Sequence, residues 1–210
     1  MNHLVLLGDS IFDNRAYVAG GPAVIDQVQH LIPTDWKATL LAVNGNTSVQ
    51  VSNQLKLLPA DSTHLVLSAG GNDAIGCLDL MGAPTSNLMG ALGTLSKMLA
   101  GFEQSYKALM TELLALNKPL MVCTIYDSVP GLVDPLKVAL AFFNDIIIRN
   151  AVSNGLPVLD LRMICTESGD YSIKSPIEPS SQGGSKIASR LKVAMLSHDF
   201  SSPGCHIYAK

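Results

Sequence analysis

A serine hydroxyl, a glycine amide and an asparagine side chain each follow a short hydrophobic run in this sequence. They belong to Ser10, Gly45 and Asn72. Short aliphatic runs that end at glycine or another small polar residue are typical of buried β-strands. We therefore expect all three residues at strand ends, where the loops of an open parallel sheet carry binding and catalytic groups.

Acyl transfer is the chemistry that these three groups would perform together. A serine that attacks a carbonyl carbon forms a tetrahedral oxyanion, which needs preorganised hydrogen-bond donors. The backbone amides of Ser10 and Gly45 and the side chain of Asn72 are three such donors. Each residue alone also fits a structural role, Ser10 as a helix N-cap and the other two as turn or loop residues. Whether the three residues are catalytic or structural therefore depends on whether the fold brings them together.

The hydrophobic pattern predicts a fold that brings the three residues together. Strand patterns occur at residues 3–7, 36–43, 64–69, 119–125 and 156–161. Helical patterns occur at residues 22–32, 49–58, 92–116, 134–153 and 182–196. This alternation predicts an α/β, three-layer, flavodoxin-like fold with a five-stranded parallel sheet of order 2-1-3-4-5. In that order the first strand lies between the second and third, so their carboxyl ends share one crevice.

Length and composition restrict the class of protein. A chain of 210 residues with 48% hydrophobic and 15% charged residues indicates a single ordered domain, with residues 201–210 expected as a loose C-terminal tail. A net charge of -3 does not indicate the basic surface that binds nucleic acid, so we expect no nucleic-acid partner. The four cysteines lack CxxC spacing, which favours free thiols over a zinc site. We recognise no secretory leader and no membrane-spanning run, so we expect a cytoplasmic protein without stable membrane insertion.

Three strand-end motifs resemble those of the GDSL-type SGNH hydrolases, a family of esterases and lipases. Residues 8–11 (Gly-Asp-Ser-Ile), 45–48 (Gly-Asn-Thr-Ser) and 70–73 (Gly-Gly-Asn-Asp) resemble its first three blocks. The resemblance extends over nearly the whole chain and implies the SGNH hydrolase fold. It also implies that Ser10 is the nucleophile and that Gly45 and Asn72 complete the oxyanion hole. No Gly-x-Ser-x-Gly motif is present, which disfavours the α/β-hydrolase family proper.

The fourth block departs from the family, whose pattern before the last helix is Asp-x-x-His-Pro. Here residues 175–180 read Ser-Pro-Ile-Glu-Pro-Ser, so Glu178 stands in place of the histidine and Ser175 in place of the aspartate. Serine needs an adjacent base, and a carboxylate with an ordinary pKa of about 4.3 is a weaker base than imidazole. Burial would have to raise that pKa.

Three hypotheses for the base remain open from the sequence. Glu178 is the base, directly or through a water, although a carboxylate before a helix also fits the helix dipole. A histidine of the C-terminal segment, His198 or His206, takes that role. The third hypothesis is that the site binds a ligand without turning it over.

Other polar residues follow strands on the same side of the predicted sheet. Asp13 and Tyr126 are candidates for contacting the substrate, although Asp13 also fits a cap or turn. Arg162 fits either a substrate carboxylate or a surface ion pair. His3 lies at the opposite side and is expected to be structural or solvated. Residues 76–89 are expected to include a loop that shapes the acyl pocket.

The sequence thus predicts a serine esterase or lipase that cleaves a short acyl or acetyl ester through an acyl-enzyme on Ser10. Its partner is a small-molecule ester, and the reaction needs neither a metal nor an organic cofactor. The alternatives are a non-catalytic ligand-binding domain that retains the oxyanion pocket, or an acyltransferase.

Overall fold

A single parallel sheet forms the centre of the molecule. The structure is a computed structural model that describes residues 1–202 and 204–209. In this part of the chain the sheet has six strands in the order β2-β1-β3-β4-β5-β6. The strands are β1 (Asn2–Gly8), β2 (Trp36–Leu40), β3 (His64–Ser68), β4 (Leu120–Cys123), β5 (Val158–Leu159) and β6 (Ile207–Tyr208).

Helices cover both faces of the sheet. They are α1 (Val24–Leu31), α2 (Ser48–Leu55), α3 (Gly71–Ile75), α4 (Leu78–Met81), α5 (Leu88–Ala115), α6 (Asp134–Ser153), α7 (Leu161–Ile164) and α8 (Ser181–Ser197). Among the described residues, no helix is long and apolar enough to cross a membrane. All four cysteines are free thiols.

The protein has two hydrophobic cores, one on each face of the sheet, and the side chains of β1 alternate between them. Successive residues of a strand point to opposite faces. Leu4 and Leu6 accordingly pack into the core under α1, α7 and α8. Val5 and Leu7 pack into the core under α2, α5 and α6. The continuous hydrophobic run of β1 is thus explained by burial on both faces, as in other parallel sheets.

The fold class and strand order expected from the sequence are confirmed, with one strand more than the five expected. The extra strand β6 lies in the C-terminal tail that we expected to be loose, and that expectation is wrong for these residues. β6 pairs in parallel with β5, and Val158 N donates to His206 O at 2.8 Å. A strand of two residues is too short to show a pattern in the sequence. Positions 203 and 210 of the predicted tail lie outside the described residues.

Several helix limits differ from the sequence pattern. Helix α6 begins and ends where expected, but α5 begins at Leu88 rather than at residue 92. The Asn87 side chain caps it by accepting from Gly90 N at 2.9 Å. The segment 76–89 contains the short helix α4 in addition to a loop. Helices α3 and α7 were not predicted, because four or five residues carry too little periodicity.

The end of β1 requires glycine. Gly8 has a φ of 127°, and a Cβ atom there would lie 1.8 Å from the carbonyl oxygen of Ser68 at the end of β3. The ends of β1 and β3 therefore approach each other closely. This approach brings the loop that carries Ser10 beside the one that carries Asn72.

Candidate active site

Ser10 lies in a tight turn immediately beyond β1. It is 8% exposed. The carboxylate of Asp9 accepts a hydrogen bond from Ile11 N at 3.1 Å, and the Asp9 carbonyl accepts from Phe12 N at 3.2 Å. The next α-helix begins only at Val24, so Ser10 is not a helix cap. The structural alternative for this serine is therefore wrong.

The turn that carries Gly45 contacts both the loop that carries Ser10 and the loop that carries Asn72. Gly45 has a φ of 82°, a conformation that favours glycine. On one side of it, Asn44 N donates to the Asp13 carboxylate at 2.9 Å. On the other side, the Asn72 side chain donates to the carbonyl of Asn46 at 3.0 Å. Asp13 thus holds this turn in place, and it does not line the apolar cavity described below.

The predicted oxyanion donors are free to bind a ligand. An asparagine side-chain NH2 has two donor hydrogens. One hydrogen of Asn72 is taken by Asn46, which fixes the orientation of the side chain and leaves the other available. Within the described residues, the backbone amides of Ser10 and Gly45 donate to no protein acceptor. Ser10 and Asn72 line the same cavity, while Gly45 lies in an exposed turn beside it.

Two residues that the sequence analysis did not select hold these loops together. Gln54 of α2 accepts from Gly8 N at 2.9 Å and donates to Gly8 O at 2.7 Å and to the Asn46 side chain at 2.9 Å. The Asp73 carboxylate accepts from the amide of Ser48 at 2.9 Å and from its hydroxyl at 2.5 Å. Asp73 follows Asn72 directly in the third motif, which is a signal for it. Gln54 had no such signal, because its role depends on tertiary contacts.

Glu178 places a buried carboxyl group beside the Ser10 hydroxyl. Its residue is 4% exposed, and its Oε2 atom has no hydrogen-bond partner among the described residues. Burial raises the pKa of Glu178 above its ordinary value, and the neighbouring hydroxyls of Ser175 and Ser10 act in the opposite direction. Neither hydroxyl makes an ordinary hydrogen bond to the carboxyl in this structure. A buried carboxylate with an unpartnered oxygen near a serine is chemically suited to accept its proton.

The backbone on both sides of Glu178 is fixed by side chains from other elements. The Tyr126 hydroxyl donates to the carbonyl of Ile177 at 2.6 Å. The Asn14 side chain donates to the carbonyl of Pro179 at 3.0 Å. Tyr126 also lines the cavity, so it combines the expected position near the substrate with a contact to the Glu178 loop.

Asp9 is a second buried carboxyl group next to the nucleophile. Burial raises the pKa of Asp9 to about 7, with smaller contributions in the same direction from the charges of Asp73 and Glu178. The hydrogen bond from Ile11 N acts in the opposite direction. Asp9 is therefore largely protonated below pH 7. This property is not visible in the sequence, because it depends on burial.

Ser10 opens into an apolar cavity of about 270 Å³. Ser10, Asp9 and Asn72 form part of its polar end. Its apolar lining comes mainly from α3, α4 and α6 and from the loop before α6, and includes Ile75, Leu78, Met81, Leu132, Leu136 and Phe143. The segment 76–89 therefore contributes to the pocket, as expected.

The two late histidines lie far from Ser10. Helix α8 begins at Ser181, close to Glu178 in sequence, and its 17 residues span about 25 Å at about 1.5 Å per residue. His198 follows the far end of this helix and contacts the Tyr208 hydroxyl of β6 at 3.1 Å. His206 packs against His198 with ring centroids 5.3 Å apart. Neither imidazole is placed to activate Ser10.

Two other predicted residues have structural roles. Arg162 forms a bidentate ion pair with Asp160, at 2.8 Å from Nε and 2.6 Å from an Nη atom, as the ion-pair alternative expected. His3 is buried and contacts the side chains of Asp61 at 2.9 Å and Thr39 at 2.8 Å. These contacts agree with the structural role expected for His3.

A family comparison agrees with the motifs. The model of the GDSL-like Lipase/Acylhydrolase family matches residues 6–183, a range that contains Ser10, Gly45, Asn72 and Glu178. A search among curated proteins found no match.

Solved structures with the same fold include several esterases and lipases. The lipase Lip_vut3 from a goat rumen metagenome is 14% identical, with a TM-score of 0.71 over 92% of this chain and 97% of that one. The acetyl xylan esterase AlAXEase is 19% identical, with a TM-score of 0.66 over 93% and 100% of the two chains. Phospholipase A1 from Streptomyces albidoflavus NA297 is 15% identical, with a TM-score of 0.66 over 94% and 99%. At these identities the likeness establishes the shared fold.

Proposed function

Because the chain belongs to the GDSL-like lipase/acylhydrolase family, we propose that it hydrolyses carboxylic esters through an acyl-enzyme on Ser10. The observation that carries the proposal is the position of Ser10, which opens into an apolar cavity and lies beside the buried carboxyl of Glu178. In this proposal Glu178 acts as the base in place of a histidine.

The proposed reaction begins when Glu178 takes the proton of the Ser10 hydroxyl. The Ser10 oxygen then forms a bond to the ester carbonyl carbon, and the carbonyl oxygen becomes an oxyanion. The amides of Ser10 and Gly45 and the side chain of Asn72 donate hydrogen bonds to it. When the intermediate collapses, the ester C–O bond breaks and the departing alcohol takes the proton from Glu178. Water repeats the sequence on the acyl-enzyme and releases the acid.

Burial is what makes a glutamate plausible as the base. A general base works best when its pKa lies near the working pH. The pKa of Glu178 is raised by burial, so its carboxylate is more basic than one in water. Its Oε2 atom has no competing donor among the described residues.

The size of the cavity indicates how long an acyl group the substrate carries. The cavity of about 270 Å³ is several times larger than the volume that one water molecule occupies in the liquid, about 30 Å³. An acetyl group would leave most of this apolar space empty. We therefore favour a linear acyl chain of medium length over the acetyl group that the sequence analysis included. Among the structural neighbours, this resembles the acyl groups of a phospholipase substrate more than those of an acetyl xylan esterase.

A fluorophosphonate probe and two esters test the proposal. The wild type should be labelled on Ser10 and should hydrolyse p-nitrophenyl octanoate with a higher kcat/KM than p-nitrophenyl acetate. Ser10→Ala should abolish labelling and turnover, and Glu178→Gln should reduce both. Glu112→Gln is the matched control, since Glu112 is exposed on α5 and should leave both unchanged.

Absence of labelling, with turnover no higher than that of Ser10→Ala, would overturn the proposal and favour a ligand-binding domain. Transfer of the acyl group to an added alcohol in preference to water would identify an acyltransferase instead.

A further inference from the structure

Two polar groups that line the cavity beside Ser10 have no part in the proposed reaction. The polar side chains among the residues that line this cavity are those of Asp9, Ser10, Ser68, Asn72 and Tyr126. Ser10 is the proposed nucleophile and Asn72 a proposed oxyanion donor. The Tyr126 hydroxyl donates to the carbonyl of Ile177. The carboxyl of Asp9 and the hydroxyl of Ser68 are therefore left without a role.

The carboxyl group of Asp9 meets the cavity with one of its oxygens. Asp9 is 3% exposed, and its backbone carbonyl is occupied by the amides of Phe12 and Asp13. Its Oδ1 atom accepts from Ile11 N, whereas Oδ2 has no hydrogen-bond partner among the described residues. Unlike Oε2 of Glu178, Oδ2 is not shut off from open space. Because Asp9 lines the cavity, that space is the cavity.

Ser68 places a hydroxyl next to this carboxyl group. It ends β3 and is the register partner of Gly8, the residue before Asp9, across strands that are about 4.8 Å apart. Ser68 is 4% exposed, and within the described residues its hydroxyl also lacks a hydrogen-bond partner without being shut off from open space. The two unpartnered groups thus lie side by side at the polar end of an otherwise apolar cavity.

A hydroxyl group on the substrate would satisfy both of them. An alcohol carries one donor hydrogen and two acceptor lone pairs. It can donate to Oδ2 of Asp9 and accept from the Ser68 hydroxyl at the same time. The methylene groups of a plain acyl chain would instead cover both groups and leave them unpaired, which is costly for buried polar atoms.

We propose that the substrate is an ester of a hydroxy acid, whose hydroxyl on the second or third carbon is held by Asp9 and Ser68. This inference rests on the proposed function, which places the acyl carbonyl on Ser10. Asp9 directly precedes Ser10, and consecutive Cα atoms are about 3.8 Å apart, so a group that contacts Asp9 belongs to the start of the acyl chain. The rest of the chain lies along the apolar lining from α3, α4 and α6.

A series of octanoate esters tests the position of the hydroxyl. The p-nitrophenyl esters of octanoate, 2-hydroxyoctanoate, 3-hydroxyoctanoate and 8-hydroxyoctanoate are compared by kcat/KM, each divided by its rate of uncatalysed hydrolysis. The 2-hydroxy or the 3-hydroxy ester should exceed octanoate at least about tenfold, because a site built to hydrogen-bond a hydroxyl discriminates against the analogue that lacks it. The 8-hydroxy ester should be poorer than octanoate, since its hydroxyl falls in the apolar part of the cavity.

Two substitutions test the residues that hold the hydroxyl. Ser68→Ala should reduce the preference for the hydroxylated ester at least about threefold, because one hydrogen bond is lost. Asp9→Asn should reduce it at pH 8, where a pKa of about 7 leaves the carboxyl largely ionised and thus a stronger acceptor than an amide. Ser62→Ala is the matched control and should keep the preference. Ser62 is equally buried and its hydroxyl has no partner among the described residues, but it precedes β3, at the opposite edge of the sheet.

Binding to the Ser10→Ala protein separates this inference from the proposed function. Calorimetry should show that this variant binds methyl 2-hydroxyoctanoate or methyl 3-hydroxyoctanoate more tightly than methyl octanoate, and that adding Ser68→Ala reduces the difference. Equal kcat/KM for hydroxylated and plain esters while Ser10 is acylated would overturn the inference alone. So would a preference that is unchanged in both Ser68→Ala and Asp9→Asn. No acylation of Ser10, with the binding preference intact, would overturn the proposed function alone.

Discussion

The carboxyl group of Glu178 is buried beside the hydroxyl of Ser10, and its Oε2 atom has no hydrogen-bond partner in the described part of the chain. An unpartnered buried carboxylate oxygen is costly to maintain, and catalytic sites are among the places where proteins keep such groups. Tyr126 and Asn14 fix the backbone on both sides of Glu178, so its position is built into the fold.

The pH dependence of activity should follow the ionisation of Glu178. The base acts in its ionised form, so kcat/KM should rise with pH through the pKa of Glu178 and then reach a plateau. Because burial raises this pKa, the midpoint should lie above 4.5, the upper end of the ordinary range of about 4.3 to 4.5. A pH–rate profile with p-nitrophenyl octanoate measures it. A midpoint at or below 4.5, or the same limb in Glu178→Gln, would exclude Glu178 as the group that titrates.

Removal of the Asn72 side chain should slow the chemical step. Asn72→Ala should lower kcat by about 10²–10³-fold, which is the cost of one oxyanion donor, with a much smaller change in KM. Steady-state kinetics measure this effect. Asn53→Ala is the control, because Asn53 is exposed on α2 and, among the described residues, its side chain hydrogen-bonds only to Lys56. A decrease in kcat of less than about threefold in Asn72→Ala would show that its side chain does not bind the oxyanion.

Asp9 should make the stability of the protein depend on pH. In the folded state its pKa is about 7, above the value of 3.8 that applies in the unfolded chain. The folded state therefore binds the extra proton between these values, and the contribution of Asp9 to stability is lost as pH rises from about 4 to about 7. A shift of this size corresponds to about 4 kcal/mol at most.

Asp9→Asn removes this titration while it keeps an oxygen that can accept from Ile11 N. The free energies of unfolding of the two proteins, measured in urea, should be similar near pH 4. At pH 8 the variant should be the more stable protein by a few kcal/mol. A difference that does not change between pH 4 and pH 8 would contradict the raised pKa of Asp9.

Tyr126→Phe should disturb the position of Glu178. The substitution removes the hydrogen bond to the carbonyl of Ile177, and its cost in stability should be about 1 kcal/mol. It should also lower kcat and shift the acid limb of the pH–rate profile. Tyr208→Phe is the control, because the Tyr208 hydroxyl contacts Nδ1 of His198 at 3.1 Å, beyond the end of α8 that is far from Glu178. Equal effects of both variants on kcat would show that the Tyr126 hydroxyl has no specific role.

Much of the fold could be predicted because the signal is local. The hydrophobic run of β1 and the small residues around Ser10 identify a strand and its functional end, and the alternation of strands and helices gives the sheet order. The two residues of β6 and the short helix α3 are too brief to carry a pattern. Their formation depends on neighbours already in place, such as the Val158 amide that donates to His206 O.

The candidate site could be predicted in its residue types and only partly in its physical chemistry. Ser10 and Asn72 share a cavity, as the strand order implies. The raised pKa values of Asp9 and Glu178 follow from burial, which a sequence does not specify for a polar residue in a loop. Gln54 holds Gly8 and Asn46 together through hydrogen bonds, and this role likewise depends on contacts with residues distant in sequence.

The rate of Ser10 acylation tests the central claim most directly. Rapid quenching of a reaction with p-nitrophenyl octanoate, followed by intact-mass and peptide-mass analysis, measures how fast the acyl group appears on Ser10. If Glu178 activates Ser10, Glu178→Gln should slow this step by at least about 10²-fold, while the Glu112→Gln control acylates at the wild-type rate. Acylation of Ser10 at the wild-type rate in Glu178→Gln, or an acyl group on another residue, would contradict the claim.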